Sequence, residues 1–124
     1  MQLATLRRDD TAEATFAPDD RPIDLVHLAR MTMGERSLER EVLQLFDRQS
    51  TLLLARMRSA APAGVVTLAH TLKGSARGIG AWRVARAAEA LETAGAAQTG
   101  AALDALAAAA EEARAVIAEL LRAN

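Results

Sequence analysis

Cysteine is absent from the 124 residues, which excludes disulfides, thiol catalysis and cysteine-based zinc sites and fits a reducing compartment. Aromatic residues make up only 2% of the chain, against 51% hydrophobic residues overall. The core must therefore come from Leu, Val, Ile and a large stock of Ala, a mixture that suits close-packed helices rather than sheets. An excess of one charge is missing too, since 15 basic and 16 acidic residues leave a formal charge of −1. No net field draws such a chain to nucleic acid or anionic lipid, and neither is expected as a partner. Long apolar runs are lacking, so no segment is expected to span a bilayer. Arg7, Arg8, Asp9, Asp10, Asp19 and Asp20 make the start of the chain unlike a signal peptide, and the expected location is the cytoplasm.

What is there fits one domain with one core. Residues 1–21 are polar, lack sustained periodicity and run between Pro18 and Pro22 into the rest, which marks an N-terminal arm. Residues 22–124 form the domain proper. Ile23, Leu25, Leu28 and Met31 suggest a short helix stopped near Gly34, and Leu38, Val42, Leu45, Phe46, Leu52, Leu53 and Met57 recur at helical spacing in a long one. Pro62 opens a third helix, which the Gly78 to Gly80 region ends. Ala81, Val84, Ala85, Ala88 and Leu91 share one face of a fourth, up to Gly95. Leu103, Leu106, Ala110, Ala113, Ile117 and Leu120 mark a fifth, from about Ala101 to Ala123. The expected fold is all-α: an antiparallel four-helix bundle with a short preceding helix, in a monomer.

The third helix holds the informative residues. At about 100° of rotation per residue, Val65, Leu68, Leu72, Ser75, Ala76 and Ile79 lie on the far side from His70 and form the core face. Lys73, Gly74 and Arg77 fall beside His70, because residues three, four and seven apart share a face. The imidazole should therefore point outward, flanked by a cation and a gap. A neutral imidazole has a lone pair ready to attack phosphorus without a separate base. Lys73, the only lysine of the chain, can offset added negative charge as a flexible ammonium. Gly74 costs about 1 kcal/mol relative to alanine inside a helix, so a missing side chain serves a purpose there: room for a phosphoryl group and for a partner's approach. If the chain reverses near Ala81, His70 stands eleven residues before the turn and Glu92 eleven after it. Glu92 then faces His70 or Lys73 at similar height, and an inward carboxylate needs such a partner. His27, opposite Leu25 and Leu28, reads as an ordinary surface residue.

The stretch Ala69, His70, Thr71, Leu72, Lys73, Gly74, Ser75, Ala76, continuing through Ile79 and Gly80, resembles the signature of histidine-containing phosphotransfer (HPt) domains, and Ala88, Leu91 and Glu92 fit that family's fourth helix. The likeness extends more loosely from Ile23 to about Leu121 and leaves out the arm. It implies that His70 carries a phosphoryl group on its distal ring nitrogen, received from a receiver aspartyl phosphate. It also implies that Lys73 and Gly74 shape the site. Glu92 and Arg77 are supporting candidates. The implied partners are response-regulator receivers and a hybrid histidine kinase; no cofactor is intrinsic, and magnesium comes with the receiver.

Four other readings compete. A sensor-kinase phosphoacceptor domain usually has an acidic residue after the histidine and a proline soon after, where Thr71 and Ser75 stand, and the remaining chain is too short for its ATP-binding domain. A phosphoacceptor module from a chemotaxis-type kinase has a similar local motif and stays open. A helical adapter without phosphate would not need His70, Lys73 and Gly74 together, and a metal-binding bundle draws on more than the two histidines available.

Overall fold

A computed structural model describes residues 21–123, and the arm expected at 1–21 lies, up to residue 20, outside the described residues. Five helices follow in order: α1 (Leu25–Met31), α2 (Arg36–Ser59), α3 (Pro62–Ile79), α4 (Trp82–Glu92) and, after a single 3-10 turn at Ala96–Gln98, α5 (Thr99–Ala123). No strand occurs among the described residues. None of their helices is long and apolar enough to cross a membrane.

Helices α2 to α5 form a ring in which each packs on the next and α5 closes on α2, while α1 lies against α3. Their ties run in opposite directions along the chain. Arg40 donates to the Leu121 carbonyl at 2.9 Å, Arg114 to Asp47 at 2.6 Å, and Arg58 lies 3.9 Å from Asp104. Rising numbers on α2 thus meet falling numbers on α5, the antiparallel arrangement that short connections favour. Alanine lets the helices approach closely. Ala69, Ala76, Ala81, Ala88, Ala110 and Ala113 are completely buried between larger residues such as Phe46, Leu72, Leu106 and Ile117.

The core face of α2 differs from the one expected. Leu45 and Leu52 are 55% and 50% exposed, and Leu43 and Ser50 are buried instead. Leu43, Phe46, Ser50, Leu53 and Met57 fall within a narrow arc of the helical wheel, whereas Leu45 and Leu52 lie about 100° away from it. The apolar arc of α2 is simply wider than the core it covers. Leu25 and Met31 of α1 are likewise half exposed, so Leu28 is the one buried anchor within that helix, with Ile23 just ahead of it.

The α3–α4 turn sets the register on which the site depends. Pro62 occupies the first turn of α3, and Gly80 ends the helix in the left-handed region at φ 82°. The Ala81 amide then returns to the Ala76 carbonyl at 2.8 Å. A β-carbon on Gly80 would stand only 3.0 Å from both the β-carbon and the carbonyl oxygen of Asp24. Glycine is therefore required twice over, by dihedral angle and by space.

Asp24 joins α1 to this turn. One carboxylate oxygen caps α1 by accepting from the His27 amide at 3.1 Å, and the other accepts from the Trp82 indole at 2.9 Å. The indole bond is the main reason that the carboxyl lies below its usual value near 3.8, burial opposing it. A depressed folded value means stability that is present above the unfolded value and lost as pH falls through the folded one. Replacing Asp24 by alanine should cost about 1–3 kcal/mol at pH 7, the range for a lost cap and a charged hydrogen bond. The cost should shrink below about pH 4, as urea unfolding followed by Trp82 fluorescence will show.

Candidate functional site

His70 stands midway along α3 with its side chain 70% exposed, opposite the buried Val65, Leu72 and Ile79. The outward ring that the helical wheel implies is what the structure shows. Antiparallel packing of α4 brings Glu92, the last residue of that helix, level with it. Glu92 Oε2 lies 2.7 Å from His70 Nδ1, and Oε1 lies 2.6 Å from Lys73 Nζ. One carboxylate thus serves two bases, one oxygen each. The side chains of Lys73 and Glu92 are only 13% and 15% exposed, so this is a sheltered tie beneath an exposed ring.

The contact decides where the ring's proton sits. An ionised carboxylate can only accept, so Nδ1 must donate, and in the neutral ring Nε2 is then left with the lone pair. Glu92 is held ionised: the Lys73 ammonium is the first reason its carboxyl lies below the usual value near 4.5, burial works the other way, and the His70 bond adds to the lowering. The tie is therefore intact at neutral pH and is released in acid, below the ordinary carboxylate range.

Lys73 lies on the side that its spacing implies and is one of the two partners expected for Glu92. Its ammonium is spent on Glu92 beside the ring and is not extended freely in water. Gly74 matches the expectation of a gap, since a β-carbon built there meets no atom within 4 Å. Arg77 shares the His70 face two turns on but does not join the cluster; it pairs loosely with Glu89 at 3.7 Å, both side chains more than half exposed. The structure unites His70, Lys73 and Glu92, with Gly74 as open ground beside them.

His27 is not an ordinary surface residue. Its Nε2 lies 3.1 Å from the Gly78 carbonyl, and its ring meets that of Trp82 edge-on at a centroid distance of 4.9 Å. The wheel shows only that His27 leaves its own helix's apolar side; it cannot show that the α3–α4 turn is waiting there. Asp24 ahead of Leu25 is the signal that could have exposed this clasp, because aspartate before an apolar run is a helix cap. The flank of α3 towards α2 holds a further feature that no motif announces. Met31, Val42, Leu45, Phe46, Gln49, Ser75, Gly78 and Ile79 line an apolar groove of about 210 Å³. Ser75 is half-buried at its edge.

Among the described residues, no three of His, Asp and Glu come together as a group able to hold a metal ion. The family model of the Hpt domain matches residues 41–120, from the first half of α2 to the last turns of α5, with every residue of the cluster inside it. No curated protein and no solved structure matches the chain.

The open space at Gly74 can be measured directly. Gly74→Ala fills no occupied volume and removes the entropy cost of a helical glycine, so it should stabilise the chain by about 0.5–1 kcal/mol in urea unfolding. A loss of stability would mean that something packs there after all.

Proposed function

The chain belongs to the Hpt domain family, whose members pass phosphoryl groups by way of a histidine in phosphorelays and interact with receiver domains, and on that premise we propose that His70 is the phosphoacceptor, receiving the group at Nε2 from one receiver aspartate and giving it to another. The observation that carries this reading is the 2.7 Å contact of Nδ1 with Glu92, which leaves Nε2 as the nucleophile on a ring 70% exposed.

The site's own residues then divide the work. His70 supplies the lone pair. Glu92 orients the ring and fixes its tautomer, which converts a freely rotating imidazole into one aimed away from the bundle. Gly74 leaves the approach to Nε2 unobstructed, so a receiver's active site can come close to the α3 backbone. In-line transfer also needs charge neutralisation on the phosphoryl oxygens. His70, Lys73 and Glu92 offer no free cation for this, because the Lys73 ammonium is already paired. The remainder, including magnesium, is assigned to the receiver, so that the complete catalytic site exists only in the complex.

A phosphorylated, magnesium-loaded receiver should label the chain, whereas ATP alone should not. His70→Gln should abolish acid-labile label while circular dichroism stays helical, and His27→Gln should retain it. Gly74→Leu should fold normally and transfer about 10- to 100-fold more slowly, the scale on which misplacement of reacting groups is felt. Label persisting in His70→Gln, or ATP-dependent labelling without any receiver, would overturn the assignment.

A further inference from the structure

Accepting His70 as the phosphoacceptor raises the question of what becomes of the proton on Nδ1 once Nε2 is bonded to phosphorus. We propose that His70 keeps this proton through both halves of the transfer, with Glu92 as its fixed acceptor and Lys73 as a positioning residue that acts through Glu92, so that the phosphorylated ring is a phosphoimidazolium.

The step balances without any proton crossing the site. On arrival, the Nε2 lone pair forms the P–N bond while the P–O bond to the donor aspartate breaks, its electron pair leaving with the carboxylate. The ring passes from neutral to cationic and retains Nδ1–H. On departure, the acceptor carboxylate bonds to phosphorus, the P–N bond breaks, and its electron pair returns to Nε2. The leaving group is then neutral imidazole. Were Nδ1 bare, the leaving group would be the far more basic imidazolate, and the phosphoryl group would be trapped until a proton arrived from water.

The geometry favours the proton's staying on the ring. A carboxylate 2.7 Å from Nδ1 attracts the new positive charge at short range and in partial shelter from solvent. Glu92 could instead take the proton for itself, but the Lys73 ammonium, 2.6 Å from its other oxygen, opposes that. The same ammonium is the leading cause of the lowered carboxyl value of Glu92. The other charged groups on this flank cancel, since Arg77 of α3 pairs with Glu89 of α4. On the opposite flank, the groove residues from α1 and α2 are Met31, Val42, Leu45, Phe46 and Gln49, none of them titratable. His27 of α1 is turned to the Gly78 carbonyl. Helix α5 packs chiefly on α2 and α4. Glu92 and Lys73 are therefore the charges that govern the ring.

Lys73 on this account never touches phosphate. A role in direct neutralisation of the phosphoryl oxygens and a role through Glu92 make different predictions about the ring's titration. The full chain and its Glu92→Gln, Glu92→Ala, Glu92→Asp and Lys73→Met variants, each checked for helical circular dichroism, can be phosphorylated with phosphoramidate, which needs no receiver. Ring ¹⁵N resonances then give the pH at which phosphorylated His70 loses Nδ1–H, and loss of label gives the lifetime of the P–N bond.

The unsubstituted chain should hold the proton to a pH about one unit or more above that of Glu92→Gln and Glu92→Ala, the usual size of a shift caused by an adjacent opposite charge. Its label should be lost at a rate that varies little between pH 6 and 8. At pH 8 the two uncharged variants should keep their label about 10-fold longer, and Glu92→Asp should restore most of the shift. Lys73→Met should move the midpoint while Glu92 is present and leave it in place in the Glu92→Gln background, whereas a lysine acting only on phosphate oxygens would have the same effect in both. Identical midpoints in the unsubstituted, Glu92→Gln and Lys73→Met chains would overturn the proposal while leaving His70 as the phosphoacceptor. Absence of label at His70 in the unsubstituted chain would remove that underlying reading, and the proposal with it.

Discussion

The Glu92 carboxylate is divided between two nitrogens of the neighbouring helix, 2.7 Å from His70 Nδ1 and 2.6 Å from Lys73 Nζ. The contact needs α3 and α4 to be antiparallel, in one register and close together. Gly80 provides the reversal, because only glycine fits its left-handed backbone against Asp24. The fully buried Ala69, Ala76, Ala81 and Ala88 provide the closeness. Asp24 and His27 brace the turn from the side of α1 through Trp82 and the Gly78 carbonyl. Each feature is unremarkable alone, and together they hold one carboxylate within hydrogen-bond reach of one imidazole.

A phosphocarrier benefits from a site this small. Phosphoryl transfer is catalysed by position and electrostatics more than by covalent participation. A chain that both receives and gives up a phosphoryl group gains nothing from stabilising the phosphorylated state strongly. On the proposed reading, His70, Glu92 and Lys73 supply a nucleophile with a fixed tautomer, and the open space at Gly74 serves the approach to it. Leu45 and Met31 are half exposed and line the apolar groove on the α2 flank of α3.

Much of this was legible in the sequence, for identifiable reasons. Periodicity of 3.6 residues marks the helices, and it is strongest in α4, where Val84, Ala85, Ala88 and Leu91 share one buried face. That Glu92 faces His70 or Lys73 follows from counting eleven residues either side of Ala81, because antiparallel helices share the same rise per residue; that it holds both is visible only in the structure. Reading fell short where contacts come from distant parts of the chain. The clasp of His27 and Trp82 joins residues 55 apart in sequence, and no local pattern encodes it. Leu45 and Leu52 read as core in the sequence but are half exposed, because a helical wheel gives the width of an apolar arc but not how much of it a neighbour covers. Spacing puts Lys73 on the correct face with Glu92 as one possible partner, but it does not show that one carboxylate serves both bases, since it locates a side chain's root and not its tip.

The central claim is that His70 offers Nε2 to phosphorus because Glu92 holds Nδ1. Phosphorus–nitrogen coupling in the ¹⁵N-labelled chain, after transfer from a phosphorylated receiver, tests it most directly. The account predicts a single phosphorylated imidazole, His70, bonded to phosphorus at Nε2. Phosphorus on Nδ1 of His70, or on any residue other than His70, would contradict it.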